Sequence, residues 1–307
     1  MDFTGGLTFT GGLSVTPQPP PTYRAIFGYG GSTVGRVSLT NLVSTTGVVA
    51  TDTAGVGTAR EGLAGTGYGT DKAIFGYGWS GAMSSITNLV SNTGVVSTDT
   101  AGVGTPRYGL AAARYGSSGQ AIFGYGTTGT GPSNLVSNTG VVGNDVARVG
   151  TERAYLAAAS YGTDKAIFGF GYMPYTSLTN LVSNTGVVAN DTAGVGTGRN
   201  GVAAAGYGST GQAIFGYGYD GTNFTSLSNL VSNTGVVASN TTGVGTPRNG
   251  VSGAGYGSSG QAIFGFGQLI SSYVSITNLI SNTGIVASDT AGVGTNRVFP
   301  GASSYGI

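Results

Sequence analysis

The sequence predicts an all-β fold of six repeated sheet units, each with four antiparallel strands, closed into a ring. Three observations lead there. The segment Ala-Ile-Phe-Gly recurs at Ala25, Ala73, Ala121, Ala166, Ala213 and Ala262, with spacings of 48, 48, 45, 47 and 49 residues. Glycine supplies 60 of 307 residues and interrupts every segment, so no run of helix formers persists. The repeat is also out of phase with the chain. It opens on a second strand at Tyr23-Arg-Ala-Ile-Phe-Gly and finishes, after Arg297, on a first strand. Joined, these two fragments complete one unit and remove the free edges of an open array. Four short strands in a period of this length are the pattern of a β-propeller blade, which gives six blades over residues 23–307.

Each element follows from local chemistry, taken here in the second copy. Gly62–Tyr68 is the first strand. Its Ala- and Gly-rich counterparts, such as Leu-Ala-Ala-Ala from Leu110 and Leu156, suit the crowded inner edge of converging sheets. Lys72–Tyr77 is the second strand, apolar on both faces and therefore expected between neighbouring sheets. Ser85–Ser91 is the third, and the more polar Val95–Thr100 is expected as a fourth strand at the rim. The separators are turn-forming, with Gly supplying positive φ and Asn bonding its own backbone. Ahead of the repeats, residues 1–22 form a separate leader. There Phe3, Leu7, Phe9 and Leu13 recur at a period of six, followed by a proline-rich spacer. These apolar residues read either as a strand that docks on another protein, an anchor, or as a loose end.

Composition narrows the function. Charged residues are 7% of the chain and the net charge is +1, so no basic field is available for nucleic acid. No apolar run is long enough for a spanning helix, so membrane insertion is not expected. The N-terminus has neither the basic nor the apolar region of a secretory signal. Neither Cys nor His is present, which removes thiolate and imidazole chemistry. The remaining acids, Glu61 and Glu152 among scattered Asp, make no acid–base pair or calcium loop, so no enzyme, cofactor or metal is expected.

Comparing the six copies locates candidate sites. The segment between second and third strands differs in every copy, as does the position after each repeated arginine: Glu61, Tyr108, Ala154-Tyr155, Asn200, Asn249 and Val298-Phe299. In an up-and-down sheet both emerge at one end, so one face varies while the other stays constant. Aromatics concentrate on the variable face: Trp79, Tyr108, Tyr155, Tyr172, Tyr175, Tyr219, Phe224 and Tyr273. Three readings stand for them: rings filling gaps between loops, a protein contact, or a glycan contact. The arginines Arg60, Arg107, Arg153, Arg199, Arg248 and Arg297 are expected near the axis. Each tie to the acid or amide eight residues earlier is structural, or the six form an anion-binding ring. A tyrosine at the end of each first strand, such as Tyr68, reads as packing between units.

The order of Arg, small-residue strand, turn, apolar strand ending in glycines and an outer pair resembles kelch repeats. Here Gly-Tyr-Gly or Gly-Phe-Gly stands in place of the kelch double glycine. The Gly-, Thr- and Ser-rich repeats behind a Gly-Leu-Thr-Phe-Thr-Gly-Gly-Leu leader also resemble virion proteins of tailed bacteriophages. That second resemblance implies a tail or appendage component in an extracellular particle. It would be anchored to other virion structural proteins through residues 1–22 and would contact a host-surface glycan or protein. The alternative is a free lectin-like propeller or a kelch-like adaptor.

Overall fold

The computed structural model describes residues 24–306, in which every regular element is a β-strand. Six antiparallel three-stranded sheets form, numbered here by their copy of Ala-Ile-Phe-Gly, with one further two-stranded ribbon at Gly31–Ser32 and Gly35–Arg36. In the second sheet the strands are Ala64–Tyr68, Lys72–Trp79 and Met83–Val90, with the Ala-Ile-Phe-Gly strand in the middle. Its Ala73, Ile74 and Phe75 are completely buried, as expected for a central strand covered on both faces.

The first sheet joins the two ends of the repeat region. Arg24–Gly28 pairs with Gly301–Tyr305, setting Arg24 opposite Tyr305 and Gly28 opposite Gly301, and pairs on its other side with Thr40–Val43.

The expected fourth strand is not a strand. Residues 95–100 form no continuous ladder with the third strand and meet it at the isolated bridges Val90↔Val96 and Thr87↔Thr100. The cause is Asn88, fully buried between them. Its Nδ2 donates to the Ser97 carbonyl (3.0 Å) and to Asp99 Oδ1 (2.9 Å), so a side-chain amide replaces a ladder bond where the outer segment carries an extra residue. The same amide recurs at Asn41, Asn134, Asn180, Asn229 and Asn278.

Neighbouring sheets are held by aromatic contacts. Each second strand ends in an aromatic residue with left-handed backbone, Tyr77 (φ 64°) for example, followed by a glycine, Gly78 (φ 112°). This bulge turns the ring out of the sheet and against the phenylalanine of the next copy. The pairs are Tyr29–Phe75, Tyr77–Phe123, Tyr125–Phe168, Phe170–Phe215, Tyr217–Phe264 and, closing the cycle, Phe266–Phe27, with centroids 5.1–5.8 Å apart. Gly76 is required by this packing, since a Cβ there would sit 2.7 Å from the Phe123 ring. The tyrosines ending the first strands also reach the following unit: Tyr68 lies against Gly140, and Tyr256 against Gly47 of the first sheet.

A second cycle is made by main chain. The residue two after each arginine has positive φ, and its N–H donates to the carbonyl of its equivalent in the preceding unit. Gly62 donates to Phe299 (3.1 Å), Phe299 to Gly250 (3.0 Å), Gly250 to Gly201 (3.0 Å), Gly201 to Tyr155 (2.8 Å), Tyr155 to Gly109 (2.6 Å) and Gly109 to Gly62 (2.7 Å). Six hydrogen bonds thus return to their starting residue.

Candidate functional site

Both variable positions of each repeat lie together beyond that hydrogen-bonded cycle. Glu61 bridges to Trp79, Ala154 to Tyr172, Asn200 to Tyr219 and Asn249 to Gln268, so the residue after the arginine pairs with the start of the loop that follows the second strand. The turns joining first and second strands, which the copies hold nearly constant, lie at the other end. Arg24, opposite Tyr305, is at that constant end.

The eight candidate aromatics fall into two groups. Trp79, Tyr108 and Tyr155 form a chain of touching rings, with centroids 5.4 and 5.9 Å apart, which continues from Tyr155 to Phe299 at 5.0 Å. With Tyr273, Gln268, Glu61, Gly62 and Val298 they line a cavity of about 290 Å³. Tyr172, Tyr175, Tyr219 and Phe224 form a separate chain at 4.9, 5.7 and 5.5 Å, and its Tyr172 and Tyr175 are exposed.

Tyr155 and Phe299 occupy the main-chain cycle itself, with φ of 52° and 49°, where the other four copies carry glycine. They belong to the fourth and first sheets, three steps apart in a cycle of six, so their rings meet from opposite sides. Glu61 and Phe299 stand among the variable positions after the arginines and Gln268 opens a variable segment, but none of the three is among the eight candidate aromatics. The missing signal was conformational: Tyr and Phe standing in a register where Gly is otherwise demanded.

The charges around the cavity cancel. Glu61 Oε1 accepts from Arg36 Nε at 3.1 Å, and the Arg36 guanidinium lies 5.9 Å from the Trp79 ring. Burial pushes the Tyr155 hydroxyl up, helped by Tyr108 and the Glu61 carboxylate, so it remains a neutral phenol. Among the described residues no group of three or more carboxylates is positioned to hold a metal ion.

The repeated arginines do not present an open ring of charge. All six are fully buried between sheets, which leaves no open guanidinium ring for an anion. Arg60 shows the arrangement. Its Nε donates to Tyr77 O (2.7 Å), Nη1 to Thr58 O (3.0 Å) and Nη2 to Asn88 Oδ1 (2.6 Å), while the group stacks 4.3 Å from the Tyr29 ring. One guanidinium therefore grips the bulge of the preceding sheet and the third strand of its own. The expected partner eight residues earlier is also corrected. Asp52 stays behind in the first sheet, where it accepts from Thr295 and Asn41, because the chain crosses to the next sheet before Arg60. The acid near Arg60 is Asp99 of Arg60's own sheet, which accepts from the Thr58 amide (3.0 Å) and hydroxyl (2.6 Å).

Burial opposes ionisation of Asp99, but the hydrogen bonds from Thr58 and Asn88, with Arg60 nearby, outweigh it and hold the carboxyl below its usual range. The same balance acts on Asp52, Asp145, Asp191 and Asp289. The fifth sheet carries Asn240 instead, which keeps the latch by donating Nδ2 to Thr197 Oγ1 at 2.8 Å. Burial lowers Arg199 in that sheet to about 10, leaving it charged at neutral pH.

The anchor candidates Phe3, Leu7, Phe9 and Leu13 lie outside the described residues. No protein-family model matches the chain, and no curated protein matches it.

Proposed function

We propose that the six sheets are the blades of a β-propeller that binds rather than catalyses. Its variable face meets a partner, while residues 1–22 fix it to a larger assembly. The carrying observation is that eight aromatics outside the repeat pattern gather at the face where the copies differ. Tyr and Trp anchors are the usual centres of binding surfaces, because a rigid ring gives much contact area for little lost freedom. The two cycles of inter-sheet contacts support the propeller, since each returns to its starting unit without a free edge.

The position of Arg24 supports a division of labour. Arg24, which follows the leader in sequence, stands at the constant end, away from the aromatics. The proposed setting is a phage particle, with this chain as a tail or appendage component. The leader would be held by other virion proteins and the variable face turned toward a host surface. Removing residues 2–22 is expected to abolish incorporation into the particle while leaving the fold intact by circular dichroism. Normal incorporation of the shortened chain would overturn the anchor. The variable face is tested by attachment to host cells, which Trp79→Ala together with Tyr219→Ala should reduce. Undiminished attachment would remove the contact role.

A further inference from the structure

The cavity at the centre of the variable face gives that contact role, on which this inference rests, a ligand class. We propose that it binds one neutral pyranose sugar unit, with Trp79, Tyr108, Tyr155 and Phe299 as its apolar wall and Glu61, Gln268 and Tyr273 as its polar rim.

Local strain points to a site rather than to drift. Tyr155 and Phe299 hold a backbone conformation that L side chains rarely adopt, at positions where glycine serves in four of six copies. The main-chain hydrogen bonds of the cycle form equally well with glycine, at Gly109 and Gly201 for instance, so the cycle does not require the rings. Their effect is to place two aromatic groups 5.0 Å apart over the centre of the face and to extend the wall begun by Trp79 and Tyr108.

Charge and shape then select the ligand. Among the described residues Glu61 is the only carboxylate lining the cavity, and it is engaged by Arg36, so a cation finds its charge already compensated. An anion finds no cationic residue among the described residues of the lining. What fits is an uncharged molecule with an apolar face for the rings and hydroxyls for the carboxylate, amide and phenol groups, which describes a pyranose. Successive rings are inclined by 45–78°, so they form walls around a small body rather than one flat platform. A volume of about 290 Å³ lies at the small end of the range for small-molecule sites.

Trp79 is the single tryptophan of the chain, so its emission reports on this cavity directly. The full-length protein is titrated with galactose, glucose, mannose and N-acetylglucosamine, followed by Trp79 emission and by calorimetry, with tetramethylammonium as the cationic probe. A saturable response to at least one sugar is expected. Tyr155→Gly, which restores the residue of four other copies and so preserves the fold, should weaken it about tenfold or more, whereas Val95→Ala at the exposed rim should not change it. The inference is overturned by no saturable response to any of the four sugars, by a response to tetramethylammonium alone, or by unchanged affinity in Tyr155→Gly. Loss of host attachment in Trp79→Ala with Tyr219→Ala, alongside silent sugar titrations, would leave the contact role standing and sink the sugar.

Discussion

Tyr77 and Tyr155 share a left-handed backbone, at φ of 64° and 52°, yet they belong to regions built on opposite principles. Tyr77 recurs as Tyr29, Tyr125, Phe170, Tyr217 and Phe266, always buried, always against the next phenylalanine and always under an arginine. Tyr155 is shared in kind only by Phe299, and both rings face a cavity. Strain that repeats in every sheet is therefore offset by packing, here an aromatic pair and a stacked guanidinium. Strain that appears in two copies of six has ring contacts, Tyr155 with Tyr108 and Phe299, but no arginine stacked on it, and it marks a place where the chain departs from its own rule.

The sharpest way to break this comparison is to remove a rivet from the repeating layer. Arg107 donates to Tyr125 O, Thr105 O and Asn134 Oδ1 and stacks 4.1 Å from the Tyr77 ring. Arg107→Ala strands three acceptors, two of them in bonds wholly buried, and opens a cavity, so a loss of about 3–5 kcal/mol is expected in denaturant unfolding. Arg36, which is partly exposed and bonds a surface carboxylate, is the contrasting site. Arg36→Ala should cost under about 1 kcal/mol. Equal losses at both positions would mean that the buried layer does not carry the assembly of the sheets.

A smaller effect distinguishes the two tyrosines themselves. Tyr77→Gly relieves the backbone but removes a buried ring and the Tyr77–Phe123 contact, so a net loss of about 3 kcal/mol is expected. Tyr155→Gly relieves the same kind of backbone and deletes a half-buried ring, so stability should stay within about 1 kcal/mol of the parent. If Tyr155→Gly destabilised the chain as much as Tyr77→Gly, the cavity ring would be part of the scaffold.

The scaffold was largely legible in the sequence because repetition exposes it. Ala-Ile-Phe-Gly marks the central strand of every sheet, and the split first unit foretells the pairing of Arg24–Gly28 with Gly301–Tyr305. Two things were not legible. The outer segment Val95–Thr100 has the composition of a strand, but the buried Asn88 amide competes for its ladder, a tertiary effect that local propensity does not register. The arginine and the acid eight residues earlier look like partners in one dimension, yet the chain changes sheet between them. The site was half legible. Variation among copies found Trp79, Tyr108, Tyr155 and Tyr273, but not that these share one cavity while Tyr172, Tyr175, Tyr219 and Phe224 form another group.

The finest contrast lies within the repeating layer, between the five acid latches and Asn240. Asp52, Asp99, Asp145, Asp191 and Asp289 all have carboxyls held below their usual range in the folded chain. A lowered folded value means that the folded state binds fewer protons than the unfolded state as these groups titrate. Their contribution is thus complete above the unfolded carboxylate range, near about pH 4, and is lost as pH falls through the folded values. Asn240 has no such transition, and its latch to Thr197 persists in acid. Asp99→Asn copies that natural exchange into the second sheet, and its Nδ2 can donate to Thr58 Oγ1 as Asn240 does to Thr197. The variant should lose a little stability at neutral pH, where Asp99 serves Arg60, and show a weaker decline as pH falls below about 4 in unfolding series. Asn240→Asp should do the reverse, placing a fifth-sheet acid near Arg199 and steepening the acid limb. An acid limb unchanged in both variants would show that the five carboxylates, for all their regularity, do not set the pH response of the layer.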